Sequence, residues 1–335
     1  MTPQRELIRW GKLLFERRLI SGWGGNLSCR LGAKHFLITG QHAPLGFLTV
    51  KDLVRINSQG KALRKNQRAS SETPMHLAVY QGTEAQAMIH AHPPAILAFS
   101  LMHDSFVPVS FEEKYTIGEV PIIPQDTPTV TQPEQLVEEL KYHPIVMIKG
   151  HGTVAIGKDF QEAFLLTDLL EEAVRCQFFK ERTGVSLETL SQDRGATITP
   201  ETASCSNRSE AYPLFSEAHM NALVQTANQD CQFRSNGSET SLSTSLTLHL
   251  EDGNISWTVT FGAGEITELD QRMDGEFLIS GKEEWWKAVF DRRIDPFLAT
   301  QQGKLKLERG ELAQLSRWYK PFQRAFSLWQ SIPVQ

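Results

Sequence analysis

Two histidines, His90 and His92, stand two apart in the run AQAMIHAHPP, and a third, His151, lies between Gly150 and Gly152 in IVMIKGHG. Three imidazoles with one carboxylate make a borderline-soft donor set that suits Zn²⁺ and admits harder or larger divalent ions. In an extended chain, side chains two apart point to one face, so His90 and His92 can converge. The glycines flanking His151 leave room for a ligand to approach the backbone. Glu72 and His76, in SSETPMH, are four apart and share one face of a helix. Turns rich in Gly, Asn, Thr and Ser offer N–H and hydroxyl donors to an anion. One such turn is SGWGGNLS, and Ser70-Ser71 stand where a helix begins. Each feature alone would also suit a core pair, a turn or a helix cap.

The elements that must carry these residues follow from the apolar pattern. Leu7, Trp10 and Leu14 recur at helical spacing near the N-terminus. Short extended segments are expected around Asn26–Arg30 and His35–Thr39. A helix begins near Ser71, capped by Ser70 or Ser71, with Pro74 in the first turn where no backbone donor is lost. AQAMIHAHPP and IVMIKGHG read as strands, the second ending in a glycine-flanked turn. A long helix runs from Asp159 to about Thr183. Short turns between these elements favour an antiparallel or mixed sheet with helices over a doubly wound one. Residues 191–211, rich in Ser, Thr and charge, have a linker composition. Beyond them, two alternating strands meet at Asp252-Gly253-Asn254, a hairpin signal. Five of the seven tryptophans (Trp257, Trp285, Trp286, Trp318 and Trp329) lie in this half, enough aromatic bulk for a second core.

A chain of 335 residues suits two domains. Its net charge of -5 and pI near 6.1 give no overall basic excess to grip nucleic acid. No stretch approaches the roughly 20 apolar residues of a membrane-spanning helix. The N-terminal run is an amphipathic helix and not a signal peptide. Cys29, Cys176, Cys205 and Cys231 are scattered with no CxxC pair, and read as reduced thiols of a cytoplasmic protein.

SSETPMHLAVY (residues 70–80), IHAHPPA (89–95) and KGHGTVAIG (149–157) resemble, in order and spacing, the class II aldolase and adducin family, best known for L-fuculose-phosphate aldolases. The resemblance covers about residues 5–185. It implies an α/β fold of the α+β type, an α/β/α sandwich with a mainly antiparallel central sheet. It implies a metal held by Glu72, His90, His92 and His151: zinc first, with manganese, cobalt, magnesium or iron as alternatives. It implies that Glu72 doubles as acid/base, and that Gly25, Asn26, Thr39, Gly40, Ser70 and Ser71 bind a substrate phosphate. His76 has its own place in the motif, outside the metal set. FEEKYTIGEVP (111–121) matches a region that supplies a further acid/base, and Glu112, Glu113 and Tyr115 are all available there; the bland reading is a solvated charged loop. The implied reaction is aldol cleavage or condensation of a small phosphorylated ketose through a metal-stabilised enediolate. Dehydration or epimerisation on the same scaffold is the alternative, though the epimerase branch typically has aspartate where Glu72 stands. Adducin-like relatives that lose the ligands suggest a further alternative, a non-catalytic scaffold or lipid-binding protein. The resemblance also implies a homo-oligomer, a tetramer foremost, with the FEEKYTIG segment approaching a neighbour's metal.

The C-terminal half, from DGEFLIS through GKEEWWKAVF and IDPFLATQQGKLKLERG to a final amphipathic helix, resembles the sterol-carrier-protein-2-like fold. That resemblance implies a small α+β domain that could take an apolar or lipid ligand. The expected domains are therefore 1–190, catalytic; 191–211, linker; and 212–335, sterol-carrier-like.

Overall fold

The computed structural model describes residues 2–125, 127, 130, 133–183, 211–262, 264–311, 314–315 and 317–335. It divides into two compact units, Met1–Thr199 and Pro200–Gln335. Of the linker expected at 191–211, all but Ala211 lies outside the described residues.

The first unit is built on an eight-stranded sheet. Its strands are β1 (Asn26–Arg30), β2 (His35–Thr39), β3 (Leu53–Asn57), β4 (Ala87–Ala91), β5 (Ser105–Phe106), β6 (Val120–Ile123), β7 (Ile145–Ile148) and β8 (Gly152–Gly157). They lie in the order β3-β2-β1-β4-β8-β7-β6-β5, and every pairing is antiparallel except β6 with β7. Among the described residues, six α-helices accompany the sheet: α1 (Pro3–Glu16), α2 (Thr73–Gly82), α3 (Pro94–Ser100), α4 (Phe111–Ile117), α5 (Glu134–Leu140) and α6 (Phe160–Thr183).

Alternation along the strands splits the unit into two cores. Leu27, Cys29, Ala87, Ile89, Ala91, Ile145 and Met147 pack with residues of α1, α3, α4 and α6. Their neighbours Met88, Val146 and Ile148 pack with Met75, Val79 and Tyr80 of α2 and Leu136 and Leu140 of α5. A sheet covered on both faces explains the uninterrupted apolar run IVMI, buried at all four positions. Fully buried Leu7 and Leu14 of α1 each stabilise this packing by about 1.5–3 kcal/mol relative to exposure. The same alternation puts Asn26, Ser28 and His90, which stand between members of the first core, on the face covered by α2.

The second unit holds a five-stranded sheet: β9 (Thr244–Leu250), β10 (Ile255–Gly262), β11 (Glu265–Asp270), β12 (Phe277–Gly281) and β13 (Leu305–Arg309), in the order β11-β10-β9-β12-β13. β9 and β10 form the hairpin expected at Asp252-Gly253-Asn254, with Trp257 opposite Leu248, and Asn254 adopts a left-handed φ of 47°. β12 runs parallel to β9 and the other pairs are antiparallel. Helices α7 (Glu217–Gln229), α8 (Cys231–Glu239), α9 (Glu283–Phe290), α10 (Pro296–Gln301) and α11 (Tyr319–Trp329) complete it. Trp286 of α9 is fully buried and its indole N–H donates to the carbonyl of His249 on β9 at 2.9 Å, so α9 covers the sheet. Among the described residues, no helix is long and apolar enough to cross a membrane, and Cys29, Cys176 and Cys231 are free thiols.

Candidate metal centre

His90 lies inside β4; His92 stands one residue past its end, so the strand is shorter than the run AQAMIHAHPP and includes only the first histidine of the pair. His151 sits in the turn between β7 and β8, where Gly150 takes a φ of +66° and the His151 N–H donates to the Ile148 carbonyl at 3.0 Å. β4 and β8 are paired neighbours, with Ala91 opposite Thr153, so the two ends bring all three imidazoles together. Their ligating nitrogens lie within 4.8 Å of one another. His90 Nε2 is 2.9 Å from His92 Nε2 and 3.3 Å from His151 Nε2. Glu72 reaches the same point: Oε2 is 3.2 Å from His90 Nε2, and Oε1 is 3.8 Å from His151 Nε2.

The cluster fits a cation. The Nδ1–H of His90 donates to the Thr153 carbonyl at 3.0 Å, which leaves Nε2 as a bare lone pair facing two other imidazole nitrogens. Donor atoms around a tetrahedral ion with bonds of about 2.0–2.1 Å stand roughly 3.3 Å apart, close to the separations here. Glu72 Oε1 is buried and has no hydrogen-bond partner, a cost that a cation or a donor group of a bound substrate would remove. Protons are poor substitutes. Burial first, then the neighbouring His151, pushes His90 down to about 3. Burial and the charges of His90 and His151 push His92 down to about 3, and burial lowers His151.

Glycines shape the cradle. A β-carbon on Gly24 would stand 2.9 Å from His92 Nδ1; one on Gly152 would stand 2.2 Å from the Ala91 carbonyl and 2.8 Å from His92 Cδ2. Gly25, at φ +79°, passes so close to β4 that a β-carbon would meet the His90 carbonyl at 2.6 Å. Two polar residues that the sequence did not single out complete the surroundings. The side-chain amide of Gln125 lies 2.8 Å from His151 Nδ1. Glu171 of α6, 2% exposed, accepts the N–H groups of Ala95 and Ile96 at 3.2 and 3.0 Å and binds Arg175 at 2.8 Å. It thereby fixes the first turn of α3, the segment that follows His92. A lone glutamate and a lone glutamine carry no sequence signal, so pattern reading misses both.

The residues expected to hold a phosphate divide. Thr39 Oγ accepts the Leu27 N–H at 3.2 Å, and Ser70 Oγ accepts the Glu72 N–H at 3.2 Å. Each hydroxyl therefore keeps its own proton to donate. Ser71 is exposed. The Ser70 N–H donates to the Thr39 carbonyl at 3.1 Å, so these residues and Glu72 are contiguous. By contrast, the Gly40 N–H is taken by the Asp52 carbonyl at 2.7 Å, and the Asn26 amide faces inward. The helix starts later than expected. α2 begins at Thr73, its N-cap is Glu72, and Pro74 lies in the first turn; neither Ser70 nor Ser71 caps it. Ser70 instead turns back to the Glu72 N–H, which sets the carboxylate at the helix entrance.

FEEKYTI forms α4, a helix and not a loop. Ser110 and Glu113 close a capping box, with the Glu113 N–H donating to Ser110 Oγ at 3.2 Å and the Glu113 carboxylate accepting the Ser110 N–H at 3.4 Å. Glu112 is exposed, and no hydrogen bond or ion pair among the described residues joins Glu112 or Glu113 to the histidines. Tyr115 has a buried hydroxyl without a hydrogen-bond partner.

Comparison with known proteins places the first unit. An L-fuculose phosphate aldolase of Methanococcus maripaludis is 30% identical over 174 residues, 52% of this chain and 94% of that protein. A 3-oxo-tetronate 4-phosphate decarboxylase of Haemophilus influenzae is 30% identical over 52% of this chain and 87% of its own length. A methylthioribulose-1-phosphate dehydratase of Pseudoalteromonas translucida is 29% identical over 52% of this chain and 90% of its own. A solved L-fuculose 1-phosphate aldolase shares the fold, with a TM-score of 0.51 at 22% identity over 56% of this chain and 92% of that one. A crystal structure of sterol carrier protein 2 matches the C-terminal region, 36% of this chain and 98% of that one, at 21% identity and a TM-score of 0.33. Residues 5–178 match the class II aldolase and adducin N-terminal domain, and the chain belongs to that family.

Proposed function

We propose that the protein is a metal-dependent lyase that cleaves, or in reverse condenses, a small phosphorylated ketose. The observation that carries this reading is the cluster of three imidazoles with the buried Glu72 carboxylate beside it, near His90 through Oε2 and near His151 through Oε1, the oxygen without a hydrogen-bond partner. His90, His92, His151 and Glu72 would hold the ion, with zinc favoured by the imidazole-rich set and manganese, cobalt, magnesium or iron as alternatives. When bound, a divalent cation polarises the substrate carbonyl and stabilises the negative charge that develops on its oxygen.

The chain's own residues do the rest. The hydroxyls of Thr39, Ser70 and Ser71 donate to the substrate phosphate, with the backbone at Gly25 at the edge of the same pocket. Glu72 Oε1 takes a proton from the hydroxyl on the carbon beyond the scissile bond and returns one to C3 of the cleaved ketose. Glu112, Glu113 or Tyr115 would serve the site of a neighbouring subunit in a homo-oligomer, a tetramer foremost.

A second reading on the same centre is decarboxylation, dehydration or epimerisation of a related sugar phosphate. The near-equal identities to the decarboxylase and the dehydratase favour the first two. One experiment separates these. Metal-loaded protein is offered a panel of phosphorylated ketoses and 3-oxo acid phosphates. Release of dihydroxyacetone phosphate or glycolaldehyde phosphate is expected. Release of carbon dioxide or water without carbon–carbon cleavage of a ketose would replace the aldolase reading. No turnover of any, with a full complement of metal, would overturn the lyase reading.

A further inference from the structure

A continuous line of buried side chains runs from Glu72 into the body of the first unit. Asn26 Nδ2 donates to Glu72 Oε2 at 2.8 Å, and Asn26 Oδ1 is hydrogen-bonded to His76 Nε2. His76 Nδ1 lies 2.6 Å from Ser28 Oγ, and Ser28 Oγ lies 2.8 Å from the Tyr80 hydroxyl. Asn26, Ser28, Glu72, His76 and Tyr80 are 6, 1, 6, 1 and 3% exposed. The arrangement is a zipper of matched periods. Glu72, His76 and Tyr80 recur every four residues on the α2 line, about 6 Å apart. Asn26 and Ser28 recur every two on β1, about 6.7 Å apart. The strand residues therefore slot between the helix residues.

The direction of every hydrogen bond in the line follows from its end. A carboxylate accepts and cannot donate, so Asn26 must present its NH₂ to Glu72 and its oxygen to His76. His76 must then carry its proton on Nε2, which leaves Nδ1 as an acceptor. Ser28 must donate to Nδ1 and, in turn, accept from Tyr80. Tyr80 donates, and no member of the line is left without its partner.

We propose that Asn26, His76, Ser28 and Tyr80 are positioning residues that form a one-directional hydrogen-bond relay, pinning Oε2 of Glu72 and leaving Oε1 as the oxygen that exchanges a proton with substrate. The inference rests on the acid/base reading of Glu72 given above. It assigns to Asn26 a role distinct from phosphate binding, because both ends of its amide are engaged away from the pocket donors. It also explains why a helix face that buries Tyr80 and Met75 includes the polar His76: the relay fixes its tautomer, and burial keeps it neutral.

Two measurements on the full metal-loaded chain test this. The first reads the His76 tautomer by long-range ¹H–¹⁵N correlation on histidine-labelled protein, with the signal assigned by its loss in His76→Gln. The Nε2–H tautomer is expected; an Nδ1–H tautomer or an imidazolium at neutral pH would overturn the relay. The second compares kinetics. His76→Leu is expected to lower kcat about tenfold or more with KM changed less than about threefold, the pattern of an interaction used only at the chemical step. His76→Gln, whose side-chain N–H can reach Asn26 in the place of Nε2, should recover most of that loss, and metal content should stay at the native level in both. Native kcat in His76→Leu, or equal loss in His76→Leu and His76→Gln, would overturn the proposal. Should His76→Leu fail to fold, Ser28→Ala removes the donor that holds Nδ1; it should lower kcat several-fold, and native kcat there would also overturn it. If the native chain turns over no sugar phosphate, the lyase reading fails, while the tautomer still decides the relay.

Discussion

The two oxygens of Glu72 serve different ends, and Glu72→Gln separates them. The amide keeps the size of the side chain but cannot exchange a proton as a carboxylate does. Turnover should fall by about 10²–10⁴-fold, the usual contribution of a general acid/base, while KM changes little because affinity rests on phosphate and metal contacts. Near-normal turnover on the true substrate would pass the acid/base role to Glu112 or Glu113. The buried imidazoles give a second expectation. Burial, aided by His90 beside His76 and by His151 and His90 around the pair, pushes His76, His90 and His92 down to about 3, against an ordinary value of 6.5. Between those limits the unfolded chain binds protons that the folded chain does not. Stability of the metal-stripped protein is therefore complete above about 6.5 and is lost as pH falls toward 3. Its urea midpoint should be lower at about pH 5 than at about pH 7.5; equal midpoints would show that these histidines accept protons within the fold. Among these residues the histidines were the legible part, because SSETPMH, IHAHPPA and KGHGTVAIG together resemble one family in order and spacing, whereas HxH or GHG alone would also suit a core pair or a turn. Asn26 was legible as polar and near the site, but not in direction. Its amide turns inward because the acceptor Glu72 and the donor His76 lie on α2, a fact of tertiary packing that no local pattern carries.

Strand ends and helix entrances hold the donors in place, so changes there should act on the site without touching it. Gly152→Ala would drive a β-carbon against the Ala91 carbonyl and the His92 ring. Because the first contact is backbone, the strand must shift, at a cost of about 1–3 kcal/mol typical of overpacking. Bound metal per chain should fall together with Tm; a variant with native metal content and native Tm would show that β4 and β8 separate freely. Glu171→Ala would leave the N–H groups of Ala95 and Ile96 without their acceptor, roughly 1–3 kcal/mol, and loosen the turn after His92. Most elements were readable from periodicity: β1, β2 and the long α6 fall where alternation and helical spacing put them. The start of α2 was not. Ser70 and Ser71 have the chemistry of cap residues, but Ser70 bonds the Glu72 N–H two residues on, so the helix starts later. The charged run FEEKYTI was readable as a loop or a site segment. It is a helix because Ser110 and Glu113 satisfy each other's backbone donors, a pairing visible in the sequence as Ser-x-x-Glu.

At the scale of the whole chain, the first unit leaves large apolar side chains in water. Trp23, beside the Gly24–His92 contact, is 74% exposed, and Leu101 and Met102 are 59% and 66% exposed. Where such groups form one contiguous patch, a neighbouring copy of the chain would cover them. Sedimentation at micromolar concentration should therefore show a homo-oligomer, and a fully active monomer would contradict that. The second unit points the other way. Among the described residues, large aromatics of its own pack the core: Trp286, Trp329, Phe215, Phe233, Phe261 and Phe322 are each under 2% exposed. Several are tied down as well as packed, since the indoles of Trp257, Trp286 and Trp329 donate to the carbonyls of Phe215, His249 and Leu223. The apolar hollow between Leu246, Ile279, Phe297, Leu305, Leu307 and Phe326 holds about 20 Å³. That is room for little more than one water, against the few hundred cubic ångströms of an ordinary ligand pocket. Opening it for an acyl chain would require displacing packed rings and breaking some of those indole bonds. In the full chain carrying Trp10→Phe and Trp23→Phe, all remaining tryptophan fluorescence comes from the second unit. Titration with a fatty-acyl or sterol probe is expected to leave that fluorescence unquenched. Saturable quenching at micromolar probe would instead show that the aromatic filling yields to a ligand, and would return the second unit to the lipid-binding role its sequence suggested.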